Sequence, residues 1–458
     1  MKLNPTFTKL AILAVVTVLL GIVLGQIGGL VHERQWRQRE AATNVEQSLA
    51  GAQVFAGPLL VRDCKETWVV RGPDKKESQE SRAFELTSSP ATLKIGGALS
   101  PEARYRGLFK VNTYVGQLDV EARWDRLAAL VPHAEHPNGQ LSCSDATVVV
   151  ALSDPRGIRS AELKRNGQAL EVLPGAEHGT LRGLHAVLPD LHAGEPLALS
   201  LKLNLVGSQR LGMVPAADDT EVALQSSWPH PSFTGQFLPL EHHIGASGFS
   251  ARWRVSSLAS TAVADLQAGH ALPDLSGDVD SSSSGYAAEP RSAPKGGLDV
   301  LAVSLIDPVN PYVMADRAIK YGLMFVALTF VTVGLTELLT GRRVHPVQYL
   351  LVGLAISLFF LLLLSLSEHM DFLKAYLVAA AAAAAVLTQY AAAMLGGWLR
   401  GLAFGGGIAL LYGALYVLLR QEQTALVIGA VLLFAVLAAI MTLTRKLDWY
   451  RLGAAEQA

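Results

Sequence analysis

The sequence predicts a polytopic α-helical membrane protein of six spans, one plus five, with a large inserted all-β, sandwich-like exported domain. Three observations lead there. A long apolar run, Leu10 to Val31, opens the chain; five more crowd between about Ala318 and Leu443; the residues between them are polar and strand-like, with no spanning run. A bilayer core of ~30 Å takes about 20 apolar residues in a helix, because backbone amides in lipid must be satisfied internally. Composition agrees, with 50% of residues hydrophobic and only 17% charged, where a soluble domain has about a quarter charged. A net charge of −1 gives no electrostatic case for nucleic acid or for a strongly acidic substrate. The sequence has no zinc-type cysteine spacing, phosphate-binding loop, dinucleotide fingerprint or nucleophile elbow, so no cofactor and no metal are expected.

Residues 1–9 are expected as a cytoplasmic N-terminus and 10–31 as a transmembrane anchor. Signal-peptide apolar cores are about 7–15 residues long and end in a small-residue cleavage motif. This run is longer, and it leads into His32-Glu33-Arg34-Gln35-Trp36-Arg37 without such a motif, which makes it an uncleaved anchor. His32–Leu49 reads helical and continues the anchor outward.

The exported, mainly-β domain is placed at 32–315. Val54–Val61, Thr67–Val70, Leu118–Trp124, Ala146–Leu152, Leu197–Val206 and Glu221–Leu224 are short runs bounded by Gly, Pro, Asn or Asp, the pattern of one large or two small β units. The stretch 265–297, with Ser281-Ser282-Ser283-Ser284, is too polar and broken to bury a core and is expected as a mobile loop. Leu298–Ile306 then reads as a last strand before the second span. Cys64 and Cys143 both fall in this domain, where they form either a disulfide closing a long loop or two buried thiols that never meet.

The five-helix bundle is placed at 316–444, as Ala318–Leu339, Val347–Leu366, Phe372–Leu395, Leu402–Leu419 and Thr424–Leu443, with a cytoplasmic tail at 445–458. Its loops alternate in charge: Arg342, Arg343, Arg400 and the tail Arg445, Lys446, Arg451 on one side, Glu368, His369, Asp371 with Lys374, and Arg420 with Glu422 on the other. Short basic loops stay cytoplasmic, which puts both termini inside and the large domain outside. Arg34, Arg37 and Arg39 after the first span oppose this locally, but long domains translocate largely regardless of charge.

Four groups of residues could carry chemistry. Trp228-Pro229-His230-Pro231-Ser232-Phe233, continuing to Phe237, is the densest cluster in the β domain. Trp228, His230, Phe233 and Phe237 form either a rigid aromatic platform for a partner or a proline-stiffened plug of the core, the plug being the commoner use of bulky aromatics. The adjacent His242 and His243 would point to opposite faces of a strand and make a poor metal chelate. Glu368, His369 and Asp371 at the outer end of the third span could bind a cation or relay a proton, or form an ordinary polar hairpin loop. Arg317 and Lys320, with Asp316 and Tyr321, make a charged collar that docks the β domain or snorkels to headgroups. Glu337 has Arg342 and Arg343 as candidate partners. Spans four to six are rich in small residues, with Ala379–Ala385, Gly396, Gly397, Gly401 and Gly405–Gly407, which lets helices approach closely in lipid and gives no evidence of a pore.

Several of these strings resemble the CreD family. They are Trp228-Pro229-His230-Pro231-Ser232-Phe233 with Phe237-Leu238-Pro239, Ser247-Gly248-Phe249 and Trp253; Asp316-Arg317-Ala318 with Lys320-Tyr321; His345-Pro346 with Gln348–Leu354; Leu366-Ser367-Glu368-His369; and Arg445 with Asp448-Trp449-Tyr450. The resemblance covers nearly the whole chain. It implies a bacterial inner-membrane protein linked to cell-envelope integrity, produced under a sensor-kinase and response-regulator pair and associated with tolerance to an E-type colicin. It implies no established catalytic residues, cofactor or transported substrate.

The leading expectation is a non-enzymatic envelope protein. Its partners would be the lipid bilayer and an envelope protein or lipid, with no nucleic acid, and its oligomeric state is left open. A transporter or flippase-like protein using the helical bundle, with Glu368, His369 and Asp371 at its outer mouth, is the alternative. A membrane-tethered hydrolase ranks last, since no carboxylate pair or nucleophile–base set is identifiable.

Overall fold

The computed structural model describes residues 5–71, 77–192, 194–276, 298–307, 310–340, 344–421 and 425–445. The chain divides into two units, Gln38–Pro308 and, drawn from both ends, Met1–Arg37 with Val309–Ala458. Helix α1 (Pro5–Ser48) belongs to both: the apolar anchor and the polar segment after it are one continuous 44-residue helix.

In the first unit the strands are β1 (Gln53–Arg71), β2 (Glu77–Ser88), β3 (Thr92–Arg106), β4 (Phe109–Trp124), β5 (Gln140–Cys143), β6 (Ala146–Leu152), β7 (Ile158–Arg165) and β8 (Gln168–Leu170). They continue as β9 (Leu173–Pro174), β10 (Gly183–Leu188), β11 (Leu197–Ser208), β12 (Arg210–Met213), β13 (Asp219–Ser226), β14 (Pro231–Gly235), β15 (Glu241–Gly245), β16 (Gly248–Ser256) and β17 (Leu301–Leu305). Among the described residues they form two sheets. One runs β14-β17-β12-β1-β6-β10-β9, with β2 and β5 also on β1; the other runs β15-β16-β13-β3-β4-β11-β7-β8.

Strand chemistry explains the layers. β4 alternates strictly, with Leu118, Val120, Ala122 and Trp124 buried and Gln117, Asp119, Glu121 and Arg123 exposed. β11 does the same with Leu197, Leu199, Leu201 and Leu203, so the eight-stranded sheet buries one face and wets the other. β1 begins with a nearly unbroken buried stretch from Val54 to Val61, as befits a strand covered on both faces in the middle of its sheet. Leu59 and Val148 of the nine-stranded sheet join Leu118, Trp124 and Leu201 of the other in one continuous core. The choice between one and two β units thus resolves to one.

Two expectations for this unit need correction. Thr67–Val70 is not a separate strand but the continuation of β1, held by pairing with β2 through Arg71↔Glu77. The loop expected over 265–297 is ordered structure at its start. Helix α2 (Ala262–Gln267) buries Ala262 and Leu266, an i, i+4 pair too short to stand out in the sequence, and residues 277–297 lie outside the described residues.

The second unit contains the first part of α1 with α3 (Pro311–Lys320), α4 (Gly322–Thr340), α5 (Pro346–Ser367), α6 (Phe372–Leu395), α7 (Trp398–Arg420) and α8 (Ala425–Thr444). Four helices are long and apolar enough to cross a bilayer, or five if α3 and α4 together make one span. These are the candidate spans among the described residues. The run Ala318–Leu339 is not one straight helix, because α3 and α4 meet at Tyr321 with a bend of 45°. The last expected span, Thr424–Leu443, falls on α8.

Small residues set the helix packing. Leu20 of α1 sits where a Cβ on Gly353 of α5 would stand, 2.1 Å away, and Thr388 of α6 lies equally close to Gly405 of α7. Val16, Leu20, Leu24 and Ile27 form the buried stripe of α1, while Val15, Val18, Leu19 and Ile22 are exposed. The first helix therefore packs on the other helices of its unit. α5 starts on a capping box: Val347 N–H donates to His345, whose own N–H donates to Gln348, and Pro346 occupies the first turn.

Candidate functional site

The aromatic–proline segment forms a seam between the two sheets. β14 is the edge strand of the nine-stranded sheet, with Phe233 opposite Val303, and β15 and β16 form the facing edge of the other. The Phe233 ring meets Trp253 edge-on at 5.5 Å and Phe249 at 5.8 Å, and lies 5.8 Å from His242. Trp253, fully buried, donates its indole N–H to the Phe237 carbonyl at 3.2 Å. Trp228 donates to the carbonyls of His230 and Ile306, each at 3.0 Å, and the Lys110 ammonium stands 5.6 Å above its ring. Trp228, Phe233 and Phe237 are thus half-buried against the core, and only His230 of the four candidates is exposed. Rings engaged this way contribute packing, and they leave little face for a partner. His242 and His243 lie on β15 and alternate in direction, and no group of metal-ligating side chains occurs among the described residues.

The polar candidates of the helical unit converge on α1. Glu368 is largely buried; its carboxylate lies 3.2 Å from the Arg34 guanidinium and accepts from the Tyr312 hydroxyl at 3.4 Å. Asp316 stands 3.9 Å from His32 and 2.9 Å from Lys320, one turn away on α3. His369 and Asp371 are not part of this contact: the His369 ring reaches back to the Ser365 carbonyl at 3.2 Å, and Asp371 pairs with Lys374 at 3.0 Å. Arg317 lies on α3 between Asp316 and Lys320. At the far end of the same unit, Glu337 pairs with Lys9 of α1 and accepts from the Tyr349 hydroxyl at 3.0 Å. The sequence pointed to Arg342 and Arg343 as its partners; these, with Glu422 and the tail from Lys446, lie outside the described residues. Lys9 and Arg34 are separated by ~37 Å of helix at 1.5 Å per residue. The two acids therefore clasp α1 near the two ends of its apolar stretch.

Cys64 and Cys143 are joined by a disulfide, directly opposite each other in the β1–β5 ladder and 79 residues apart in sequence. Beside it is a constellation that sequence reading missed. Glu66 is fully buried and accepts the backbone N–H groups of His136 at 2.8 Å and Glu135 at 3.0 Å. The His136 ring stacks on Trp68 at 3.7 Å, and Arg82 pairs with Glu135. The His136 backbone hydrogen bond, helped by the His136 ring and opposed by burial, holds the Glu66 carboxyl below its ordinary value. The chemistry is that of a latch, closing the segment before β5 onto β1. A charged residue two positions after a cysteine in a strand-like run was the only signal in the sequence.

The wet face of the eight-stranded sheet carries an open trough of about 560 Å³ beside the seam. Small residues lie in register on its floor, Ala223 opposite Gly96, with Ala98 opposite Gln225 on the next pair. Its walls are polar, with Gln117 and Asp119 on β4 and His243 and Arg252 on β15 and β16. The sequence marked Leu118–Trp124 of β4 and Glu221–Leu224 of β13 as strand-like, but not which strands would stand next to each other. Amide, carboxylate, imidazole and guanidinium groups around a floor without bulk can accept and donate hydrogen bonds to a polar chain lying across the strands.

Comparison with known proteins gives a consistent family result. A family model described as inner membrane protein CreD matches residues 5–450. The inner membrane protein CreD of Escherichia coli (strain K12) is 32% identical over 453 residues, covering 98% of this chain and 94% of its own length. Among solved structures, the M1 zinc metallopeptidase from Deinococcus radiodurans aligns over 36% of this chain and 38% of its own, with 10% identity and a TM-score of 0.20. A substrate-bound mutant of the same enzyme aligns over the same shares with 11% identity and a TM-score of 0.19. At such scores the likeness carries no argument about fold or activity.

Proposed function

The chain belongs to the CreD family of inner membrane proteins, and from that premise we propose a non-enzymatic role in cell-envelope integrity. The β unit is exported to the periplasmic side and meets a polar envelope component through the trough of the eight-stranded sheet. The observation that carries this reading is the trough itself: a built recess with polar walls, next to an aromatic seam whose rings are already engaged. The contact surface accordingly moves from Trp228, His230, Phe233 and Phe237 to the strand face beside them. Six crossings with both termini cytoplasmic fit if α3 and α4 count as one bent span and α8 as the last, with Arg342, Arg343 and Arg400 on the inner side. Envelope-stress response and colicin tolerance would be downstream readouts of that contact.

The clasp around α1 weighs against the transporter alternative. Glu368, the buried acid of the supposed outer mouth, is held by Arg34 and Tyr312, as a structural pair would be. A complementation experiment separates the two. In a strain lacking the gene, Ala98→Trp and Gln225→Lys should abolish restoration of envelope integrity, measured as detergent and colicin sensitivity. His369→Ala with Asp371→Asn should restore it fully. The reverse pattern would sink the contact reading and favour a path through the bundle. A non-reducing gel showing the Cys64–Cys143 bond in each variant keeps misfolding from imitating the result.

A further inference from the structure

We infer that the tip of the β3–β4 hairpin is a second membrane contact, in which Arg104, Tyr105, Arg106 and Leu108 engage the headgroups of an anionic phospholipid surface. The hairpin is paired from Thr92↔Arg123 out to Arg106↔Phe109. Its neighbours stop earlier: β13 ends its pairing at Leu99 and β11 at Thr113. Beyond them a two-stranded ribbon continues for four residues on β4, ~14 Å at 3.4 Å per residue. Ribbons of two strands are marginal in water unless they pack on something. This one ends in exposed Tyr105 (67%), between Arg104 and Arg106, and in exposed Leu108 (54%).

Place and charge identify the occupant. The base of the ribbon is tied, within the β unit, to the segment that leads into α3 and to the polar end of α1. The Lys110 ammonium bonds Asp307 at 3.0 Å, and the Asn112 amide donates to the Leu305 carbonyl at 3.4 Å. The Gln209 N–H donates to the Asn112 carbonyl at 3.0 Å, while the Gln209 side chain donates to Glu46 of α1 at 3.3 Å. From Asp307 the chain enters α3 at Pro311, four peptide steps that span at most ~14 Å. The sheet body extends from this base in one direction, toward Thr92, and the ribbon in the other. The ribbon thus leaves the sheet body beside the segment that leads into α3. Glu102 is matched by Arg104 at 2.8 Å and Asp307 by Lys110, while Arg106 pairs with no acid among the described residues. Guanidinium forks suit phosphate, Tyr suits the headgroup level, and a Leu can enter the acyl boundary.

The test uses the full chain in nanodiscs. Both native cysteines are in the disulfide, so Leu108→Cys supplies a single thiol for an environment-sensitive fluorophore. Leu258→Cys is the control, because Leu258 (97% exposed) follows β16, whose end Ser256 is level with Thr92 at the opposite end of the sheet. In discs with anionic phosphatidylglycerol, quenching by brominated lipid should be at least threefold stronger at position 108 than at 258. Arg104→Glu with Arg106→Glu, or discs of phosphatidylcholine alone, should remove most of that difference. Inorganic phosphate at millimolar concentration should leave it in place. Equal iodide quenching at both positions in either lipid would overturn the inference and point to a protein partner at the tip. Displacement by free phosphate would also overturn it, making the arginines a small-anion site.

Discussion

The two units of this chain are held together by different physics. The β unit is a water-side structure: its two sheets bury Trp124, Trp253, Phe55 and Tyr114 in one core, and a disulfide closes 79 residues of chain. The helical unit presents apolar side chains such as Leu410, Val431 and Phe434 outward, so removing apolar surface from water cannot be what assembles it. There, close approach at Gly353 and Gly405 and the charged clasps near the two ends of the apolar stretch of α1 do the work. The contrast teaches that the same substitution type should have different consequences in the two halves.

The largest expected effect is a cavity in the β unit. Trp253→Ala should destabilise that unit by about 3–5 kcal/mol, the range for emptying a large aromatic site. Guanidinium unfolding of the full chain in detergent, followed by tryptophan fluorescence, measures it; a loss under 1 kcal/mol would show that the seam is peripheral to the core. Next comes the disulfide. Cys64→Ser with Cys143→Ser should cost about 2–4 kcal/mol in the same assay, because a long loop is no longer closed in the unfolded chain. Helical circular dichroism in that variant should persist, sharpening the division between units.

Overpacking is the corresponding break in the helical unit. Gly353→Leu, which places a side chain onto Leu20, should lower resistance to unfolding by a strong detergent by about 1–3 kcal/mol. Gly407→Leu should change it little, because a Cβ there meets open space. If both behave alike, small residues are not setting the approach of α1 and α5. The smallest effect is one of pH. The folded Glu66 carboxyl lies below its ordinary value of 4.5, so its contribution is complete above that value and is lost as pH falls toward the folded value. The unfolding midpoint of the β unit should fall more steeply below pH 4.5 in the native chain than in Glu66→Gln. Parallel pH profiles would remove Glu66 from the latch.

Much of the layout was readable because lipid and strand pairing impose simple periods. The apolar runs located α5 and α6 almost to the residue and α7 to within four, and short runs bounded by turn residues located β6, β11 and the end of β4. The bend at Tyr321 was not readable: hydropathy averages over a window and is blind to a single residue leaving the helical ladder. The candidate site was half legible. Trp228 and Phe233 stood out by composition, but whether a ring faces a partner or another sheet depends on what β16 brings opposite.

What the sequence determined by itself was the division into lipid-compatible and water-compatible text, and the alternation that gives each strand an inside and an outside. Those are local properties, set by the chemistry of neighbouring side chains. Only the tertiary structure decided that Cys64 meets Cys143, that Glu368 answers Arg34 and Glu337 answers Lys9, and that Gly96, Ala98 and Ala223 line up as the floor of a trough. Each of these joins residues dozens to hundreds of positions apart. Strand order and helix neighbours are chosen by the burial energy of the whole unit, which no single stretch of the chain carries.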